Sequence, residues 1–200
     1  MATTTPNYGW PVPTSTDYVK DGATAIEALG DAIDATVFGL GSAGLTLVSA
    51  TTVGTAVSSV TISGAFSSTY QNYKVIFNGG VASGGTDIYL TLGAANTGYY
   101  SARMGWRYSN SSFDFSDSNN GSRFLLGGGD TTHAGMNFDI QGPNLAKPTF
   151  VQGLFPSTTA MAACGGYQSS STQFTAFTFV GDGATTFTGG TVRVYGYKNS

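Results

Sequence analysis

The chain changes its hydrophobic period once, near residue 45. Before that point one segment repeats apolar residues with helical spacing. In DYVKDGATAIEALGDAIDATVF (17–38), Val19, Ile26 and Ile33 recur every seven residues, and Gly22, Leu29 and Thr36 follow three behind each. This a/d seam of about two heptads predicts a short amphipathic helix. Asp17 can cap its start, although the T-x-x-E pair Thr24 and Glu27 places a second possible start near Asp21 or Thr24. Gly39 is the expected stop. The outer face carries Asp21, Glu27, Asp31 and Asp34. A helix this short is marginal in water, so its stripe must be covered. The narrow seam favours copies of the same helix over the chain's own remainder, and the residues leave the number of copies open.

From Leu45 onward the period is two. Alternating or continuous apolar runs at 45–48, 59–62, 73–77, 87–92, 104–108, 123–126, 136–140, 149–155, 174–180 and 191–197 predict ten short strands. Gly/Ser/Asn/Thr clusters separate them, as in 79–85, 116–122 and 164–171. Tyr73, Val75 and Phe77 share one face, as do Ile88, Leu90 and Leu92, or Met136, Phe138 and Ile140. Met104, Trp106 and Tyr108 also share a face, which is read as a core face. The fold class is mainly β: an N-terminal extended arm and one short helix, then an antiparallel, jelly-roll-like β-sandwich. Residues 1–44 form the arm, helix and a GLGSAG joint (39–44), and residues 45–200 form the sandwich. The arm, MATTTPNYGWPVPTST, holds Pro6, Pro11 and Pro13 with Tyr8 and Trp10. It suits a docking peptide whose aromatics enter a partner groove.

Composition narrows the function. Charged residues are only 10% of the chain, against about 25% in ordinary domains. Eight Lys+Arg against 11 Asp+Glu argue against nucleic-acid binding. One cysteine, Cys164, and one histidine, His133, leave no disulfide, no zinc-ligand set and little room for a histidine-centred enzyme. No apolar run is long enough to insert in a membrane, and the first residues carry no secretion signal, so synthesis in a cytoplasm is expected. His133, three residues after Asp130, reads as polar loop surface rather than a base. Asp114, Asp117 and Asn119 resemble a calcium loop, but the glycine spacing and the missing closing Glu make an Asx-rich turn the better reading. Cys164 is expected to be buried and unreactive. No catalytic residue, metal or cofactor is assigned. A surface-polysaccharide-cleaving enzyme would need paired carboxylates, and the sandwich scatters Asp87, Asp114, Asp117, Asp130, Asp139 and Asp182 through its sequence. The best binding candidates are loop aromatics with a cation nearby, since sugar rings stack on flat aromatic faces: Tyr99, Tyr100, Arg103 and Tyr167.

Residues 6–38 carry a W-x-x-P, then T-D-x-V-K-D-G-A, then A-I-x-A-L-G-x-A-I-D pattern on Trp10, Pro13, Thr16, Asp17, Val19 to Ala23, Ala25, Ile26, Ala28 to Gly30, Ala32, Ile33 and Asp34. This segment resembles the N-terminal part of phage virion proteins of the tail-fibre and minor-tail type. The ending GGTVRVYGYK (189–198) resembles the last strand of receptor-binding modules in fibres and head spikes. The resemblance implies a virion location on tail or capsid exterior. It implies an N-terminus that anchors on other virion proteins through Tyr8 and Trp10. It also implies a homotrimer joined through Val19, Ile26, Leu29 and Ile33, and a sandwich that binds a host surface glycan or protein. The alternative it leaves is a capsid decoration or head-fibre protein without receptor binding.

Overall fold

The structure is a computed structural model that describes residues 3–15, 18–41 and 44–198. It divides into two compact units, residues 1–44 and 45–200, at the boundary the change of period marks.

In the first unit the proline-rich arm turns back on itself. Strands β1 (Thr3–Thr4) and β2 (Pro11–Val12) pair antiparallel. The turn between them is closed by Gly9 N–H donating to Thr5 O at 3.0 Å and Thr5 N–H donating to Trp10 O at 2.9 Å. Gly9 has φ +67°, a conformation a side chain would resist. A 3₁₀ turn (Val19–Asp21) leads into helix α1 (Gly22–Gly41). Of the expected starts, the one near Asp21 matches; Asp17 lies outside the described residues, as do Ser42 and Ala43 of the joint. Gly39 does not stop the helix. A glycine inside a helix costs only about 1 kcal/mol, and the next left-handed glycine is Gly44, at φ +96°.

The arm covers one side of α1. The Trp10 indole N–H donates to Thr36 Oγ1 at 2.9 Å, and that hydroxyl donates to Ala32 O at 2.8 Å. The half-buried helix positions are Gly22, Ala25, Leu29, Ala32 and Thr36, on one stripe. Val19, Ile26 and Ile33 stand beside that stripe and face water, at 97%, 66% and 36% exposure.

The second unit is built from antiparallel strands. They are β3 (Leu45–Thr52), β4 (Ser59–Ile62), β5 (Asn72–Ala82), β6 (Thr86–Leu92), β7 (Tyr99–Arg107), β8 (Ser112–Gly121), β9 (Phe124–Gly129), β10 (Ala134–Gln141), β11 (Thr149–Pro156), β12 (Ala160–Gln168), β13 (Phe177–Gly181), β14 (Phe187–Thr188) and β15 (Thr191–Tyr197). Strand β10 is the junction. Ala134 to Met136 pair with β9, Asn137 to Gln141 pair with β11, and β5 runs along the other edge. One layer is therefore β4-β13-β6-β9, and the other is β3-β15-β5-β10-β11-β12-β7-β8. The layers meet on aromatic rings: Phe77 of β5 lies 5.0 Å from Phe179 of β13, and Tyr99 of β7 lies 4.8 Å from Phe124 of β9. The inner face takes the predicted sets Tyr73/Val75/Phe77, Ile88/Leu90/Leu92 and Met136/Phe138/Ile140, all buried.

Three expectations are corrected. The Asp/Asn stretch 114–119 is strand β8, not a turn; Asp114 faces inward at 3% exposure and its neighbour Asp117 faces water. The glycine-rich 164–168 belongs to strand β12, not to a separator. Met104, Trp106 and Tyr108 are not core: they are 57%, 50% and 56% exposed.

Candidate functional site

The strand inversion at β7 creates two surfaces. Its odd positions, Tyr99, Ser101 and Arg103, point between the layers, and its even positions point out. Past Tyr99 the inward residues are polar, so this corner of the interlayer space is a cleft rather than a core. Its volume is about 340 Å³, in the range of small-ligand sites.

Four aspartates that lie far apart in sequence meet along this cleft: Asp87, Asp114, Asp130 and Asp182, with Arg103 and Arg107 among them. Arg103, 6% exposed, donates to Asp87 Oδ1 at 2.8 Å and pairs through Nε with Asp114 Oδ2 at 3.2 Å. Arg107 donates to Asp114 Oδ1 at 2.8 Å. Asp130 Oδ1 accepts from the Thr132 hydroxyl at 2.6 Å, Thr132 N–H at 2.7 Å and His133 N–H at 3.0 Å, and Oδ2 accepts from the Thr158 hydroxyl. The two threonine hydroxyls, then the backbone donors, hold its carboxyl well below the usual carboxylate range. Asp182 pairs with Arg123 at 3.2 Å, and the Arg123 guanidinium lies 3.7 Å from the centre of the Tyr89 ring. Asp130 engages the His133 backbone, so it does not orient the imidazole. Among the described residues no cluster of three or more His, Cys, Asp or Glu side chains is placed to hold a metal ion.

The sequence-predicted binding set divides. Tyr99 is removed from it: the ring is fully buried, and its hydroxyl accepts from Leu92 N–H at 2.8 Å and donates to Ala95 O at 3.1 Å. Arg103 is turned into the cleft, on the opposite side of β7 from Tyr100. Tyr100 and Tyr167 do come together. They are cross-strand partners of β7 and β12, stacked at 4.9 Å and 8°. Phe150 of β11, next in register, continues the ladder at 5.7 Å from Tyr167. The rings stand side by side, so Tyr167 is covered by its neighbours on both faces. What the ladder offers a ligand is ring edges and the outer faces of Tyr100 and Phe150. Sequence reading missed Phe150 and the cleft, because both depend on cross-strand register.

The outward face beside the ladder is apolar. Phe113 (60%), Trp106 (50%) and Met161 (58%) form one cross-strand row; Phe115 (60%), Met104 (57%) and, past Ala163, Leu154 (57%) form the next. The other predicted residues lie in the first unit. Tyr8 stacks on Trp10 at 5.2 Å and remains 59% exposed, whereas Trp10 is half-buried on α1. Leu29 is on the covered stripe, and Val19, Ile26 and Ile33 are outside it. Cys164 is buried beside Leu126, and burial pushes its thiol up to about 11.

No protein-family model, no curated protein and no solved structure matches the chain. No described helix is long and apolar enough to cross a membrane.

Proposed function

We propose that the chain is a fibre-type structural protein of a phage virion. Residues 1–44 anchor it and join copies into a homotrimer, and the β unit is presented for attachment to a host surface glycan. One observation carries this reading. Ile26 and Ile33 of helix α1, and Val19 in the 3₁₀ turn that leads into it, stand in water seven residues apart while the arm already occupies the neighbouring stripe. A helix with one side satisfied and a regular apolar row left over is built to meet other helices. The β unit has its own aromatic core.

The contacts of the cleft carboxylates favour a reading without bond cleavage. A glycosidase needs one carboxyl as acid and a second as base or nucleophile. Here Asp87 and Asp114 are held by Arg103, Asp130 is occupied by four donors, and the exposed Asp182 pairs with Arg123.

Light scattering tests the assembly. The full chain is expected at about three times the 20.6 kDa of one copy, and the Ile26→Glu/Ile33→Glu variant at one. A wild type of single-chain mass refutes the trimer. Attachment is read on a glycan array with the full chain. Tyr100→Ala/Tyr167→Ala is expected to remove the signal; if the wild type binds no glycan, the chain is a decoration or head-fibre protein.

A further inference from the structure

We infer that the outer face of β8-β7-β12-β11 is a contact surface between β units of neighbouring copies of this chain. The inference rests on the homo-oligomer reading above, but it assigns a second interface on a different unit from helix α1.

Six large apolar side chains are adjacent on this face, Phe113, Phe115, Met104, Trp106, Met161 and Leu154, each at least half exposed. Strand alternation gives them no inner surface to join, because the inward positions of β7 and β8 hold Arg103 and Asp114. The chain has thus placed charge between its layers and apolar bulk in water, the reverse of a solvated sheet. Half of six side chains of roughly 150–250 Å² each is about 600 Å² per copy, close to the ~800 Å² a partner contributes to a stable interface.

The occupant is a second copy because of what the face lacks. Among the outward positions of the four strands only Asp117, at the margin, is charged. A foreign partner is selected by charge complementarity. A face meeting its own copies around a symmetry axis needs none, and like charges there would repel. Among the described residues strand β8 pairs with β7 alone and ends its sheet, so copies packed there shield an exposed edge.

Methionine oxidation reads the surface directly. The full chain is treated with dilute hydrogen peroxide at a concentration where light scattering gives the multimer, and the modified positions are found by peptide mass spectrometry. Met104 and Met161 are expected to oxidise roughly tenfold more slowly than in the Phe115→Lys/Trp106→Glu variant. Met136, 1% exposed in the core, stays protected in both and reports that the variant is folded. Should that variant unfold, Leu154→Lys replaces it, with the same expectation. If the wild type is multimeric and Met104 and Met161 still oxidise as fast as in the variant, the copies join through the helix alone and this inference is overturned. A wild type that is monomeric overturns it together with the assembly reading.

Discussion

Replacing Arg103 by methionine is expected to destabilise the β unit by about 3–5 kcal/mol, the cost of leaving a buried charge without its partner. Asp114 is 3% exposed, and Arg103 supplies two of its contacts, from Nε at 3.2 Å and from Nη2 at 3.3 Å. Arg107 remains, but its side chain is 45% exposed and reaches only Oδ1. Asp87 loses its 2.8 Å contact too; at 34% exposure it can turn to water, so it adds little. The measurement is urea unfolding of the full chain, read as a lower midpoint at unchanged slope. Removing both charges as Arg103→Met/Asp114→Leu is expected to recover most of the loss, since a buried pair replaced by apolar groups is often neutral. A single variant within about 1 kcal/mol of wild type would mean that water reaches Asp114 well enough to replace the arginine.

The same residues show what a sequence can and cannot reveal about a strand. Period-two alternation identifies which side chains share a face, and it did so correctly for Met104 with Trp106. It does not say which face is inside. The natural reading turns apolar residues inward, and at Tyr73, Ile88 and Met136 that reading holds. At β7 it fails because Asp114 and Asp87, 11 and 16 residues away on other strands, arrive opposite Arg103 and make the inner side polar. Only cross-strand register brings them there. Strands β8 and β12 were hidden for related reasons. β8 carries Ser, Asp and Asn at positions that ordinarily mark turns. β12 has glycines where neighbouring backbones come too close for side chains: a Cβ on Gly166 would sit 2.0 Å from Tyr100 O. The helix was plain from its heptads. The arm's return onto it was not, because it brings the Trp10 indole N–H to Thr36, 26 residues along the chain.

In the aromatic core the alternation reads true, and there a single truncation should rival the loss of Arg103. Phe179 is fully buried on β13, with Phe77 at 5.0 Å and Phe187 at 5.4 Å, rings from β5 and β14. Phe179→Ala is expected to cost about 3–5 kcal/mol, combining lost transfer energy with the cavity left between layers. Neighbouring rings cannot close that space cheaply. Phe77 is held in register by β10 and β15 on either side of its strand, and Phe187 is tied to Val57 by a pair of backbone bonds at 2.8 and 3.0 Å. Phe115→Ala makes the matching truncation on an outward position, 60% exposed. In the dissociated chain at low concentration it should change the urea midpoint by no more than about 0.5 kcal/mol, as ordinary surface substitutions do. Its cost should appear only as protein concentration rises and copies meet. Chemically identical changes then separate the two faces of one sandwich: Phe179 acts in folding the chain, and Phe115 acts in what the folded chain joins. A Phe115→Ala loss as large as that of Phe179→Ala at every concentration would place Phe115 in the fold instead, and the apolar outer face would have no partner to explain it.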